Sequence, residues 1–354
     1  MAPSTPGQLR GRIVALRPMP DVGATLREVG RLVRRAVPFD DCVWLAYDPE
    51  TVLPTAAYDD GHSWELRLAY CVNEQLEDDV NKFRTLARMA VPVATLDQAT
   101  GGARQRSRRY TELLRPHGFA RELRAALVAD GVCWGSLTLL RARGADDFSP
   151  AEVATVASVT DIVADRLRQA LRHPDSRDGH RTAGPPGIVV VGPGGELEQV
   201  TPAAEPWLQL LSGPADHAVP GNPAPVPVAA LAVRARAAAR DGAEPTRLRV
   251  RTPTGDWLTV HATVDAAATG QRTMVILEPS RPGELLPLLA RAHRLTTREE
   301  QIVRLVLLGN STKEITAQLH ISANTVQDHL KSVFDKTGVR SRRELAYQLA
   351  LAHW

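Results

Sequence analysis

Cysteine is scarce, with three in 354 residues. Cys42, Cys71 and Cys133 are odd in number, far apart, and without a CxxC pair or a histidine at metal-ligand spacing. That excludes a disulfide framework and a structural zinc site, and it fits a reduced, cytoplasmic chain. No cofactor or metal is expected. Long apolar runs are missing too. No stretch approaches the 18 or so uninterrupted apolar residues of a membrane span, and the first residues lack the apolar core of a secretory signal. A membrane is therefore not among the expected partners. Charge of one sign is also lacking: 43 Lys and Arg stand against 40 Asp and Glu, a net +3. Catalytic signatures are absent as well. There is no Gly-x-Ser-x-Gly, no Walker A loop, no His-Glu-x-x-His and no kinase motif, so no enzyme is expected. Gly192-x-Gly194-Gly195 lacks the full dinucleotide pattern and leads into a strand, which makes it a hairpin turn.

What is there lies at the C-terminus. Three Ser/Thr-x-x-Glu capping boxes head three apolar-periodic runs: Thr296 with Glu299, Ser311 with Glu314, and Ser341 with Glu344. They predict helices over 297–308, 312–319 and 342–353. A further helix over 323–336 starts after Ser322 and stops at Gly338. Only a tight turn fits between Leu319 and Ser322, so the second and third of these helices must cross steeply, as in a helix-turn-helix. At 100° per residue, Val326, Leu330, Val333 and Phe334 gather on one side and pack on Ile302, Leu305, Val306, Ile315 and Leu319. Asn324, Gln327, Asp328, Lys331 and Asp335 occupy a polar arc on another. Gln can pair with adenine, Lys with guanine, and Asp can accept from the cytosine amino group, so Gln327, Asp328 and Lys331 are the candidate base readers. Lys313, Thr325, Lys336, Arg340, Arg342 and Arg343 surround them as candidate phosphate contacts.

From Arg291 to Trp354 there are ten Lys and Arg against six Asp and Glu, a net +4 that leaves −1 for the rest of the +3 chain. The positive excess sits on this unit but is modest, so two copies are expected to bind together. The last helix offers a means of pairing. Leu345, Leu349 and Ala352 share one face, while Tyr347, Leu351 and Trp354 form a second apolar stripe suited to a homodimer.

Leu295-Thr296-x-Arg298-Glu299, Asn310-Ser311-Thr312-Lys313-Glu314-Ile315, Leu319-His320-Ile321-Ser322-x-x-Thr325-Val326-x-x-His329-Leu330-Lys331 and Lys336-Thr337-Gly338-Val339-x-Ser341-Arg342 resemble the LuxR-type helix-turn-helix domain over about 60 residues. The resemblance implies double-stranded DNA as partner, with base-facing positions at Gln327, Asp328 and Lys331, and RNA polymerase as a candidate partner. Many members carry a Lys or Arg where this chain has Gln327, which implies a weaker electrostatic part to binding here.

Upstream, Val22, Leu26, Val29, Val33 and Val37 predict an amphipathic helix over 21–37. Strands follow at Cys42–Tyr47 and Val52–Tyr58, helices at Glu77–Arg88 and Arg108–Leu114, and strands at Leu123–Asp130 and Val132–Arg141. Ser149-Pro150-Ala151-Glu152 heads a long helix to about Leu171. Arg115-Pro116-His117-Gly118-Phe119, Gly131 through Leu137, and Phe148-Ser149-Pro150-Ala151-Glu152 are similar to GAF domains. Trp134 reads as core rather than as a ligand wall, Cys42 and Cys133 as core fillers, and Arg104–Arg109 as a solvated face. Beyond a linker, strands at 187–191 and 196–200, a helix to Leu211, a Pro-rich loop over 213–227, a helix at 228–240, and strands at 246–252, 256–264 and 272–278 resemble a PAS-like fold. Gly194-Gly195 with Glu198 through Trp207 is its most telling piece. His261 reads as an ordinary sheet histidine rather than a haem ligand.

The expected architecture is multidomain α+β: a disordered N-terminus (1–19), a GAF-like sensor (20–172), a linker (173–186), a PAS-like domain (187–280), a coupling segment (281–291, helical over Glu284–His293) and an all-α four-helix LuxR-type helix-turn-helix DNA-binding domain (292–354). The expected function is a dimeric, sequence-specific transcription regulator, with a small-molecule effector in the GAF-like or PAS-like domain. The rival is a sensor scaffold whose helix-turn-helix only mediates protein association, which would have no DNA affinity to lose when Lys331 is changed.

Overall fold

The computed structural model describes residues 6–17, 19, 22–59, 64–172, 185–212, 222–240, 246–264 and 272–351. Most of the expected linker and of the Pro-rich loop lies outside them, as does Trp354.

The chain opens with α1 (Pro6–Val14) and α2 (Val22–Ala36). The expectation of a disordered start (1–19) fails over its described residues: Leu9 and Ile13 are at most 1% exposed, and Arg10 forks onto Asp161 at 2.7 and 2.9 Å. A five-stranded antiparallel sheet follows, from β1 (Asp41–Asp48), β2 (Leu53–Asp59), β3 (Val93–Thr95), β4 (Phe119–Ala129) and β5 (Val132–Ala142), in the order β2-β1-β5-β4-β3. Between β2 and β4 run α3 (Trp64–Leu76), α4 (Phe83–Leu86), α5 (Leu96–Thr100) and a turn of π-helix over Arg109–Leu114. After β5 come α6 (Pro150–Ala157) and α7 (Thr160–Ala170). One sheet face buries Trp44, Leu123, Leu127, Leu137 and Leu139 with α2 and α7 residues such as Val29 and Val163, all at most 2% exposed. Trp134 and Cys42 belong to the same core, as their apolar surroundings predict. Gly135 is required here, because a Cβ would come within 2.3 Å of the Leu45 carbonyl oxygen on the paired strand.

Three readings of this region need correction. Of the helix expected over 77–88 only Phe83–Leu86 (α4) is helical, and the longer helix lies earlier, as α3, because the polar residues of 77–82 serve tertiary contacts. Asp79 accepts from the Arg109 N–H at 2.7 Å, Lys82 donates to the terminal carbonyls of α3 at Asn73 and Glu74, and Asn81 is left-handed at φ 56°. The long helix from Ser149 keeps its capping box but breaks at Ser158-Val159, where the Ser158 carbonyl accepts from Arg10 at 2.7 Å. Arg104–Arg109 is not uniformly solvated: Arg109 is wholly buried and forks onto Glu122 at 2.8–3.1 Å.

A second antiparallel sheet holds β6 (Gly187–Val191), β7 (Leu197–Val200), β8 (Thr246–Arg251), β9 (Trp257–Val264) and β10 (Thr273–Pro279), in the order β7-β6-β10-β9-β8. α8 (Glu205–Leu211) and α9 (Val226–Arg240) lie between β7 and β8. The first half of α9, Val226 through Val233, is apolar all round because it is covered all round. The helix packs on its own sheet and against α3 and β2 of the first, and Val226 through Val233 are each buried. His261 lies on the sheet with Nε2 3.2 Å from Glu278, an ordinary strand histidine.

The two sheets and the next helix, α10 (Pro282–Ala292), meet at one buried ion pair. Arg249 donates to Asp48 through Nε at 2.8 Å and Nη2 at 2.7 Å, and through Nη1 to the Glu284 carbonyl at 3.1 Å. Leu285, Leu286, Leu288 and Leu289 of α10 are at most 3% exposed. They join the first core to that of the C-terminal helices α11 (Thr297–Leu307), α12 (Thr312–Leu319), α13 (Ala323–Thr337) and α14 (Arg342–Ala346).

Candidate nucleic-acid interface

The C-terminal unit is assembled from its caps inward. Thr296, Ser311, Ser322 and Ser341 each accept a first-turn N–H through the side chain, and the Glu299 and Glu314 carboxylates reach back to their cap residues. The turn between α12 and α13 is made by His320, left-handed at φ 54°, and the Leu319 carbonyl is held by Arg298 at 2.7 Å. Gly338, left-handed at φ 78°, closes α13. The last helix, expected over 342–353, is an α-helix only at its start: α14 ends at Ala346 and passes into a turn of π-helix over Tyr347–Leu351.

α13 buries Val326, Leu330 and Val333, each at most 1% exposed, against Ile302, Val303, Val306 and Ile315. Phe334, Leu305 and Leu319 pack at the margin. Burying three such side chains contributes several kcal/mol to the seating of the helix. The opposite side is exposed at Asn324, Gln327, Asp328, Lys331 and Asp335. Among the described residues, no hydrogen bond or ion pair holds the side chains of Gln327, Asp328 or Lys331.

The candidate phosphate residues divide. Lys313, Arg340 and Arg343 are exposed beside the polar arc in sequence, and Thr325 is half-buried with its hydroxyl 2.9 Å from Ser322. Lys336 departs from expectation. Its ammonium group donates to both Glu299 oxygens, at 2.6 and 2.8 Å, and so serves the fold rather than a ligand. Arg342 is likewise occupied, by the Thr312 hydroxyl at 2.8 Å and the Asn310 carbonyl at 3.4 Å.

Glu299 was legible only as a cap. It is 3% exposed. Burial alone would raise its pKa, but Lys336, the Ser332 hydroxyl at 2.6 Å and the Thr296 N–H bring it down to about 2. Nothing in the sequence pattern pointed to His293. It is 4% exposed, with Nδ1 3.4 Å from the Lys336 carbonyl. Burial, then the positive charge of Arg172, lowers its pKa to about 4, so it is neutral at pH 7. Around it the first sheet unit grips the C-terminal one. Arg168 donates to the Ala292 carbonyl at 2.6 Å, Arg172 to that of Lys336 at 3.2 Å, and Arg294 to Asp130 at 2.6 Å and Asp165 at 3.1 Å.

Of the expected dimer stripe, Tyr347 is 64% exposed; on the other face of the helix, Leu345 and Leu349 are buried. The Leu351 side chain and Trp354 lie outside the described residues. Among those residues, no group of three or more His, Cys, Asp or Glu is placed to hold a metal ion, and no helix is long and apolar enough to cross a membrane.

Comparison with known proteins bears on this same unit. The family model described as bacterial regulatory proteins, luxR family, matches residues 293–349. The uncharacterized transcriptional regulatory protein YvfU of Bacillus subtilis is 40% identical over 52 residues, 15% of this chain and 26% of that protein. The HTH-type transcriptional regulator MalT of Serratia proteamaculans is 35% identical over 63 residues, 18% of this chain and 7% of that protein. The matched segment thus spans about a quarter or less of these relatives. Among solved structures, Escherichia coli SdiA aligns over 98% of this chain and 96% of its own at 13% identity and a TM-score of 0.32. A VqmA-ligand-DNA complex from Vibrio cholera aligns over 48% and 86% at 18% identity and a TM-score of 0.25. What the comparisons establish is local to the helices just described: residues 293–349 form a LuxR-type helix-turn-helix domain.

Proposed function

We propose that this chain is a sequence-specific, DNA-binding transcription regulator that acts as a dimer under control of its two sheet domains. One observation carries the reading. α13 is fixed from behind by a buried apolar face and caps at both ends, while Gln327, Asp328 and Lys331 stand outward with no partner in the chain. A rigid helix with unspent donors and acceptors is what the major groove requires. Lys313, Arg340 and Arg343 are left to meet phosphates; Lys336 and Arg342 leave that set. Tyr347 is the described part of the pairing surface, and two copies bring two half-sites within reach.

We read the first sheet domain as GAF-like and the second as PAS-like. Their antiparallel sheets, each with its first strand between its second and its last, support that reading. Control would act through α10, which both sheet domains and the C-terminal unit touch, by favouring one placement of the paired recognition helices. The names of YvfU and MalT agree with a role in transcription.

Selection of random duplex DNA with the full chain, followed by titration of the selected site, tests the proposal. Lys331→Ala should weaken the selected site by about 1–3 kcal/mol and relax one base preference. A chain that ignores duplexes of every sequence at low salt is the scaffold, not the regulator.

A further inference from the structure

A cavity of about 60 Å³ lies between the two sheet domains. Leu45 and Tyr47 of β1 form part of its floor, on the sheet face opposite the Trp44 core, and Val226 and Ala230 of α9 form part of its far wall. Neither sheet domain encloses it alone. Most of the lining surface is carbon, and among its polar side chains two carry an atom left without a partner. The Tyr70 hydroxyl and Arg124 Nε belong to residues that line the cavity, are shut off from solvent, and have no hydrogen-bond partner. A buried donor without a partner costs about 1–3 kcal/mol, so two on residues that line the same apolar cavity mark a place where something else can complete them.

The charges at the site are already balanced. Arg124 donates through Nη2 to Glu74 at 2.8 Å and through Nη1 to the Asn81 carbonyl at 3.0 Å, with its guanidinium 3.7 Å over the Phe83 ring. Arg67, also in the lining, is paired with Asp59 at 2.9 Å. An anionic ligand would find no spare cation. Burial drives the Tyr70 pKa upward, so its hydroxyl keeps its proton and can donate it. Cys71 is on the wall as well, but burial pushes its thiol up to about 12, which leaves it a packing group rather than a nucleophile.

We infer that this cavity is an effector site shared by the two sheet domains, taking a small neutral molecule with an apolar body and one hydrogen-bond acceptor. Tyr70 and Arg124 hold the acceptor, and α9 closes over the body. A dry cavity of about 150 Å³ takes benzene. At about 60 Å³ this one is smaller, so a ring-sized ligand must move α9 away from β1 and α3. α9 lies on the sheet that carries Arg249, and Arg249 holds α10. The inference deepens the sensor reading given above, but binding itself does not depend on DNA recognition.

Saturation-transfer NMR titration of the full chain tests it with three probes of similar size: cyclopentanone (neutral, with an acceptor), methylcyclopentane (no acceptor) and pentanoate (charged). Cyclopentanone should bind best. Tyr70→Phe should weaken it roughly three- to tenfold, the worth of one hydrogen bond, and leave methylcyclopentane unchanged. It should not lower the Tm, because the deleted hydroxyl had no partner. Ala230→Phe should fill the cavity from the α9 side and remove binding of both neutral probes; Ala230→Leu serves if the larger ring prevents folding. The inference is overturned if no probe saturates at millimolar concentration, if pentanoate binds best, or if the α9 substitutions leave cyclopentanone binding intact in a folded protein. A Tyr70→Phe variant that loses stability and no affinity overturns it too. No DNA enters these readouts. Failure to bind probes leaves the regulator reading standing, and failure to bind DNA leaves the cavity assignment standing.

Discussion

The face of the first sheet turned away from Trp44 and the outer face of α13 use charged side chains in opposite ways. On the sheet, Arg109 and Glu122 are both 0% exposed, with Asp79 3.7 Å and Asn73 3.1 Å from the same guanidinium. On α13, Asp328 and Lys331 are exposed and unpaired among the described residues. A charge turned inward loses its hydration and persists only where fixed partners replace the water. One turned outward loses nothing and stays available to a ligand. Helix pattern and capping reveal the second arrangement. The first depends on which residues meet across 13 to 36 positions of chain.

The largest expected effect comes from breaking the inward set. Glu122→Gln removes the bidentate partner of the buried Arg109 guanidinium and leaves only Asp79, 3.7 Å away, as counter-charge, so it should cost about 3 kcal/mol in urea denaturation. A triple change, Arg109→Met with Glu122→Leu and Asp79→Asn, should recover part of that loss, since the apolar replacements need no partners and no buried carboxylate is left unpaired. Lys331→Ala on α13 should stay within about 0.5 kcal/mol of the parent stability, because nothing in the chain leans on it. Comparable losses from Glu122→Gln and Lys331→Ala would erase the distinction.

The same contrast explains what could be read from the sequence. The C-terminal helices were legible to within a residue or two at their starts because their signals are local: a cap, a Glu three residues on, and an apolar face at 3.6-residue spacing. The strands of both sheets were legible from alternation and turns, except β3, which at three residues is too short to show an alternation. α3 was misplaced because the acids and lysine of 77–82 look like helix-surface residues until their distant partners are known. α1 was missed because a single turn or two with Leu9 and Ile13 has no visible partner until α6 and α7 are folded. Of the candidate site, the outward arc was legible and the fate of Lys336 was not. A lysine near a DNA-facing helix reads as a phosphate contact, and only the fold brings Glu299 to it across 37 positions.

A buried neutral base gives the next largest effect, and it lies where the two regions meet. In the unfolded chain the His293 imidazole titrates at its ordinary value of 6.5, but in the folded protein at about 4. Between those values the unfolded state binds a proton that the folded state refuses. The contribution is therefore fully present above about pH 6.5, falls as pH drops toward 4, and does not fall further below that. The loss is on the order of 3 kcal/mol. His293→Phe should flatten the stability curve across that window. An unaltered slope in the variant would mean that His293 is not the group responsible.

The smallest effects separate the two lysine and arginine roles on the C-terminal unit. Lys336→Ala removes the partner of buried Glu299, whose pKa of about 2 marks stability that is present above its ordinary 4.5 and lost as pH falls through 2. With the Lys336 side chain 32% exposed, solvent screens part of the pair, so a cost of about 1–2 kcal/mol is expected near neutral pH. Arg343→Ala should cost almost no stability, since that side chain is exposed and has no partner among the described residues. Its effect belongs to DNA: the slope of log affinity against log salt should shrink by about 0.9 for each phosphate contact removed. If Lys336→Ala instead changes the salt slope and leaves stability alone, the ammonium group turns outward when DNA arrives, and the line between inward and outward charge moves with the ligand.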